Sequence, residues 1–187
     1  MLSKKKEKEY KKKQRIILAI LIIFLLAFII DSLAKILLMS FLLILNFLFA
    51  FLKKKIPKMR MGKYFLGIEI IMFCTVITSI SFGPKIGAIM GSLLMLINYI
   101  AERRVSQYTI ITLVLYSAIG FSAFYFKHID IITLGLIITI IYNVLSAIIV
   151  SFLGANMKTM FVFGIVNTLF NLFLFSNFGP LVLRILS

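Results

Sequence analysis

Residues 131–153 read IITLGLIITIIYNVLSAIIVSFL, 23 consecutive positions without one charged side chain. A helix rising 1.5 Å per residue covers roughly 35 Å over that length, enough to cross a hydrocarbon core about 30 Å thick. The stretch therefore predicts a transmembrane helix, and the rest of the chain repeats it. Further apolar runs occupy 16–30, 36–52, 64–82, 86–101, 105–126 and 159 to about 178. The runs at 64–82, 105–126 and 159–178 are long enough to span, whereas 86–101 reaches only by borrowing Gly83–Lys85 or Glu102.

The composition agrees with that reading. Of the 187 residues 62% are hydrophobic, and the mean hydropathy is +1.12. Soluble domains run nearer 45–50% apolar. A chain this small cannot hide the excess from water, so the excess faces lipid. Charge is confined: residues 1–15 and 53–63 hold 16 of the 27 charged side chains, and most others fall in the breaks between runs. The expected fold is an all-α polytopic transmembrane helical bundle of six to seven helices. Residues 1–15 form a basic cytoplasmic tail, 16–52 an N-terminal helical hairpin and 64–187 a transmembrane helical core.

The first 34 residues also have the layout of a signal peptide, with a basic start, the run Ile16–Ile30 and the small residues Ser32 and Ala34. The basic region is long, however, and another apolar run opens at Ile36, so a retained anchor is expected. Asp31 and Lys35 stand at i,i+4, which would suit one continuous helix over 16–52. Such a helix would run about 55 Å, nearly twice the hydrocarbon thickness. The hairpin fits a membrane better.

Lys and Arg set the orientation. With seven spans and the N-terminus inside, the inside segments carry 17 of these residues and the outside segments 4. Merging the first two runs into one span leaves the sides nearly balanced. Seven spans, a multi-pass location in the cell membrane and a cytoplasmic N-terminus are the expectation.

Several functions are disfavoured. The net charge of +15 reads as lipid and topology contacts rather than a nucleic-acid surface, because no aromatics interleave with the lysines. Cys74 is the single cysteine, so no intrachain disulfide forms. His128 has no second ligand at metal spacing, and neither a metal nor a cofactor is expected. No G-x-S-x-G or H-E-x-x-H motif occurs, and the chain has only six acidic residues. A catalytic role is therefore not expected.

One stretch carries a more specific signal: Ser81-Phe82-Gly83-Pro84-Lys85-Ile86-Gly87-Ala88-Ile89-Met90-Gly91. Its glycines recur every four residues, on one helix face where another backbone can come close. Pro84 suits the first turn of a new helix, where its missing N–H costs nothing. Asn98 continues the same face. Phe82-Gly83-Pro84 recurs as Phe178-Gly179-Pro180, and both are read as turns on the same side of the membrane.

The pattern G-P-x-x-G-x-x-x-G between two apolar helices resembles the substrate-binding S components of energy-coupling-factor vitamin transporters. It is also similar to the rod-shape membrane protein MreD. The resemblance covers roughly residues 64–180. It implies that Gly83, Pro84, Gly87 and Gly91 serve as turn and packing residues, and that an energising membrane subunit and ATPases are partners.

Polar residues within the runs are the candidate site. Glu69 is the only acid well inside an apolar run. It either pairs with Lys63 or Arg60 near the interface or belongs to a functional site. Asn143 lies mid-run beside Tyr142, and Gly164, Asn167 and Asn171 share one helix face. Each asparagine is explained by an interhelical hydrogen bond or by a solute cavity. The leading expectation is a transport component that binds a small vitamin-like solute through Glu69, Asn98, Asn143, Asn167 and Asn171. The alternatives are an MreD-like scaffold without substrate, or a small transporter acting alone.

Overall fold

The computed structural model describes residues 33, 36–52, 67–102, 105–106, 108–154 and 156–186. The basic tail, the apolar run 16–30, the loop 53–63 and Arg103–Arg104 lie outside the described residues. So do Asp31 and Lys35, and with them the expected hairpin except for its second helix. Residues 1–41 and 42–187 form separate compact units. The second unit carries α2 to α6 and the candidate site.

Among the described residues the chain is all-α, with six helices and no strand. They are α1 (Ile36–Leu52), α2 (Ile71–Phe82), α3 (Pro84–Glu102), α4 (Tyr108–Ala123), α5 (Ile131–Phe152) and α6 (Met157–Leu186). Six is the lower end of the expected count. The spans Pro84–Glu102, Tyr108–Phe126, Ile131–Phe152 and Met157–Leu186 are long and apolar enough to cross a membrane, and the second of these includes the tighter turn Phe124–Phe126 after α4. Large apolar side chains such as Ile110, Phe152, Phe161 and Ile185 are exposed along these helices. Such apolar exposure along helices long enough to span suits contact with lipid, and the protein is a multi-pass membrane protein.

The central element is α2, which packs against α3, α4, α5 and α6. Every residue from Ile71 to Ser79 is buried, as expected of a helix apolar all round. The run 64–82 was expected to be one spanning helix, and here the structure corrects the sequence. The α-helix holds only 12 residues, about 18 Å, and residues 67–70 before it are not α-helical. Gly67 lies in that non-helical stretch. A Cβ there would sit 2.7 Å from the Phe163 carbonyl oxygen and 2.8 Å from the Asn167 nitrogen, so the segment crosses tightly against α6.

The α2–α3 turn is built on Gly83, whose φ of +99° belongs to the left-handed side that favours glycine. Pro84 then opens α3. Further along that face, a Cβ at Gly87 would meet the Gly120 carbonyl at 2.7 Å, and one at Gly91 the Tyr116 carbonyl at 2.8 Å. The backbones of α3 and α4 therefore nearly touch. Ser79 reinforces the junction by donating to the Gly120 carbonyl, and Ser92 by donating to Leu113.

Phe178-Gly179-Pro180 does not make a second turn. It lies inside α6, which runs 30 residues and carries Pro180 on an exposed face. Gly179 is buried there against Ile131. The opening of α5 is fixed by Asp130, whose carboxylate accepts from the N–H groups of Ile132 (2.9 Å) and Thr133 (3.2 Å). Hydrogen bonding from the Thr133 side chain and N–H, then from Ile132, holds this exposed carboxyl below its ordinary 3.8.

Candidate functional site

Glu69 sits in the irregular segment before α2 and is 4% exposed. Its Oε1 accepts from the Tyr116 hydroxyl of α4 at 2.8 Å and from Asn167 Nδ2 of α6 at 3.3 Å. The same Asn167 nitrogen donates to the Gly67 carbonyl at 3.1 Å, in the non-helical segment before α2. Asn143 of α5 continues the network. Its Nδ2 donates to Asn167 Oδ1 (3.3 Å), Thr168 Oγ1 (2.9 Å) and the Gly164 carbonyl (3.1 Å). One carboxylate thus joins the start of α2 to α4, α6 and, through Asn167, α5.

Beside this network lies a cleft of about 240 Å³. Glu69 lines it together with Asn98, Tyr99 and Glu102 of α3, Tyr108 and Thr112 of α4, Tyr142 and Ser146 of α5, and Ser106. Met95, Val150, Met160 and Phe163 supply apolar wall. The rings of Tyr116 and Tyr142 lie 4.9 Å apart, and the Tyr99 hydroxyl donates to Thr112 at 3.0 Å. Since α3 and α5 end where α4 and α6 begin, the cleft occupies the end of the bundle at which the 102–108 and 152–157 connections lie.

The five candidates thus fall into three positions. Glu69 and Asn98 line the cleft. Asn167 and Asn143 stand behind Glu69 in its hydrogen-bond network, and Asn143 also borders a separate groove between α5 and α6. Asn171 is fully buried one turn further, where its Nδ2 donates to the Asn167 carbonyl of its own helix. Gly83, Pro84, Gly87 and Gly91 lie on the α2–α3–α4 junction, away from the cleft lining.

Tyr116, Tyr99 and Thr112 were not singled out from sequence. Their trace was there: Thr109, Thr112, Tyr116 and Gly120 are spaced three to four apart and form the buried face of α4. Asn46 was also missed. It is buried on α1 and donates to the Leu94 carbonyl of α3 at 3.0 Å. No group of three potential metal ligands occurs among the described residues, and Cys74 is buried within α2. Compared with known proteins, the chain matches no family model, no curated protein and no solved structure.

Proposed function

We propose that this protein is a cell-membrane solute-binding component of a transport system, which takes a small vitamin-like molecule into the cleft beside Glu69. One observation carries the reading: residues 67–70 are not α-helical, and this segment delivers the buried carboxyl group of Glu69 to a cleft lined by polar side chains. Irregular backbone at membrane depth survives only where protein or a cavity satisfies its polar groups. The cleft is smaller than the roughly 300–1,000 Å³ of drug-sized ligand sites, so the solute is small. The role is to bind and move that solute rather than convert it, with an energising membrane subunit and ATPases as partners, as the Gly83–Gly91 pattern implies.

A scaffold of MreD type is the second reading. It is favoured by the α5–α6 groove, about 340 Å³ and lined by apolar side chains such as Ile140, Val144, Phe161 and Leu169. A thermal-shift screen of vitamins and their precursors separates the two. Stabilisation of the wild type that disappears in Asn98→Leu is the expected result. Absence of any stabilising solute, with non-ATPase proteins co-purifying instead, would overturn transport in favour of the scaffold.

A further inference from the structure

We infer that the solute taken by the cleft carries a planar aromatic ring, a deepening that rests on the solute-binding reading above. Four helices each bring one ring to the cleft: α3 brings Tyr99, α4 Tyr108, α5 Tyr142 and α6 Phe163. The rest of its apolar wall is Met95, Met160 and Val150, with no leucine or isoleucine among the described lining residues. Two other grooves show what this chain ordinarily builds with. The α5–α6 groove holds Ile140, Ile165 and Leu169 with one ring, Phe161. A groove between α1 and α3 holds Leu43, Ile44, Leu48, Ile97 and Ile100, again with one ring, Phe47. Aliphatic side chains serve for lipid tails and packed helices, so a wall of rings and methionines has a different use.

The chemistry of rings supplies that use. Aromatic faces and edges carry opposite partial charge, so a ring gains from offset or edge-on contact with another ring. Methionine sulfur adds favourable contact at ring edges and adapts its shape to them. The lining also holds the hydroxyls of Ser106, Thr112 and Ser146. A hydroxyl both donates and accepts, which suits the polar atoms of a heteroaromatic ring. Tyrosines near helix ends also form interfacial belts in membrane proteins. Tyr125, 58% exposed at the opposite end of the bundle, fits such a belt. Tyr142 does not: it is 3% exposed, and its ring centroid lies 4.9 Å from that of the fully buried Tyr116. Four of the chain's seven tyrosines thus gather at this cleft or directly behind its wall.

The test uses the full chain in lipid nanodiscs with three probes: benzamide, pyridine-3-carboxamide and cyclohexanecarboxamide, titrated by saturation-transfer NMR against empty discs. All three carry the same carboxamide, so they differ in the ring alone. The two aromatic probes should bind at least about tenfold more tightly than the saturated one, the scale of contacts with two protein rings. Tyr99→Leu and Phe163→Leu should each cut that preference by about threefold or more. Tyr99→Phe keeps the ring, loses only the hydroxyl, and should restore the preference. The two leucine variants lie on different helices, so either serves if the other does not fold. Equal binding of cyclohexanecarboxamide, or an aromatic preference that survives both leucine variants, would overturn the ring assignment and leave the solute site standing. Failure of all three probes would overturn it too, and the vitamin screen then decides the site separately.

Discussion

Asn167 and Asn171 are one turn apart on α6 and both fully buried, yet they do different work. Asn167 donates to Gly67 and Glu69 and accepts from Asn143, so removing it strips partners from a buried carboxylate and a buried carbonyl. Each group left unsatisfied costs about 1–3 kcal/mol. Asn171 only donates to its own helix, and its Oδ1 has no partner, so leucine there removes little. Asn167→Leu should therefore lower stability in detergent by about 1–3 kcal/mol, and Asn171→Leu by no more than about 0.6 kcal/mol. Thermal unfolding of the two variants checks this, and equal losses would show that the network does not hold α6. Asp130 gives a pH-dependent case. Its folded carboxyl titrates below the ordinary 3.8, so its contribution is complete above that value and lost as pH falls through the folded one. Asp130→Ala should melt below wild type at neutral pH, and the difference should close under strong acid. Asp130→Ser, which caps without ionising, should show no such closure.

At the scale of elements, glycine spacing was an uneven guide. The four-residue ladder of Gly87 and Gly91 marks the close α3–α4 approach, because two backbones in contact demand small residues at each turn. Gly135 has no such partner in sequence, so spacing alone marks no contact there. In the fold it faces the ring of the fully buried Phe175, and an added Cβ would overlap ring carbons. A glycine opposite one large side chain leaves no periodic trace. Gly135→Leu should thus cost as much as Gly91→Leu, about 1–3 kcal/mol, while Gly164→Ala, whose nearest contact is Asn143 at 3.5 Å, should be nearly neutral. Thermal shifts of the three variants test it, and a harmless Gly135→Leu would contradict the Phe175 contact. The two Phe-Gly-Pro tripeptides teach the same lesson. Gly83 swings to positive φ where α2 must reverse, whereas Gly179 stays helical under Ile131 and α6 continues through Pro180. Helix type and most boundaries were legible from the apolar runs. The non-helical stretch 67–70 was not, because Gly67-Ile68-Glu69-Ile70 belongs to an otherwise apolar run and only the fold shows the close contact of Gly67 with α6. The members of the site were legible only as polar residues in apolar surroundings. Which of them meet depends on helix rotation and depth, and neither is written in a single run.

For the bundle of residues 42–187, the remaining question is which side the cleft faces, and charge gives an answer that labelling can test. Ser106 stands in the α3–α4 connection at the cleft end, and His128 in the α4–α5 connection at the opposite end, and both are exposed. The cleft end receives the connections that carry Arg103, Arg104 and Lys158 and follows the basic stretch 53–63, whereas the other end receives Lys85, Lys127 and Arg184. Lys and Arg accumulate on the cytoplasmic side of membrane proteins, so the cleft end should face the cytoplasm with the N-terminus. Cys74 is the single cysteine, so Cys74→Ser gives a background for single cysteines. In that background, an impermeant maleimide added to intact cells should modify His128→Cys and spare Ser106→Cys, and disrupting the membrane should expose both. Labelling of Ser106→Cys from outside would invert the bundle, and the site would then open to the exterior, ready for uptake. On the transport reading, cytoplasmic labelling would mean instead that the described conformation is the one from which a captured solute is released. Uptake then requires a second conformation opening at the far end, and protection of Ser106→Cys by solute added only inside would locate the release step.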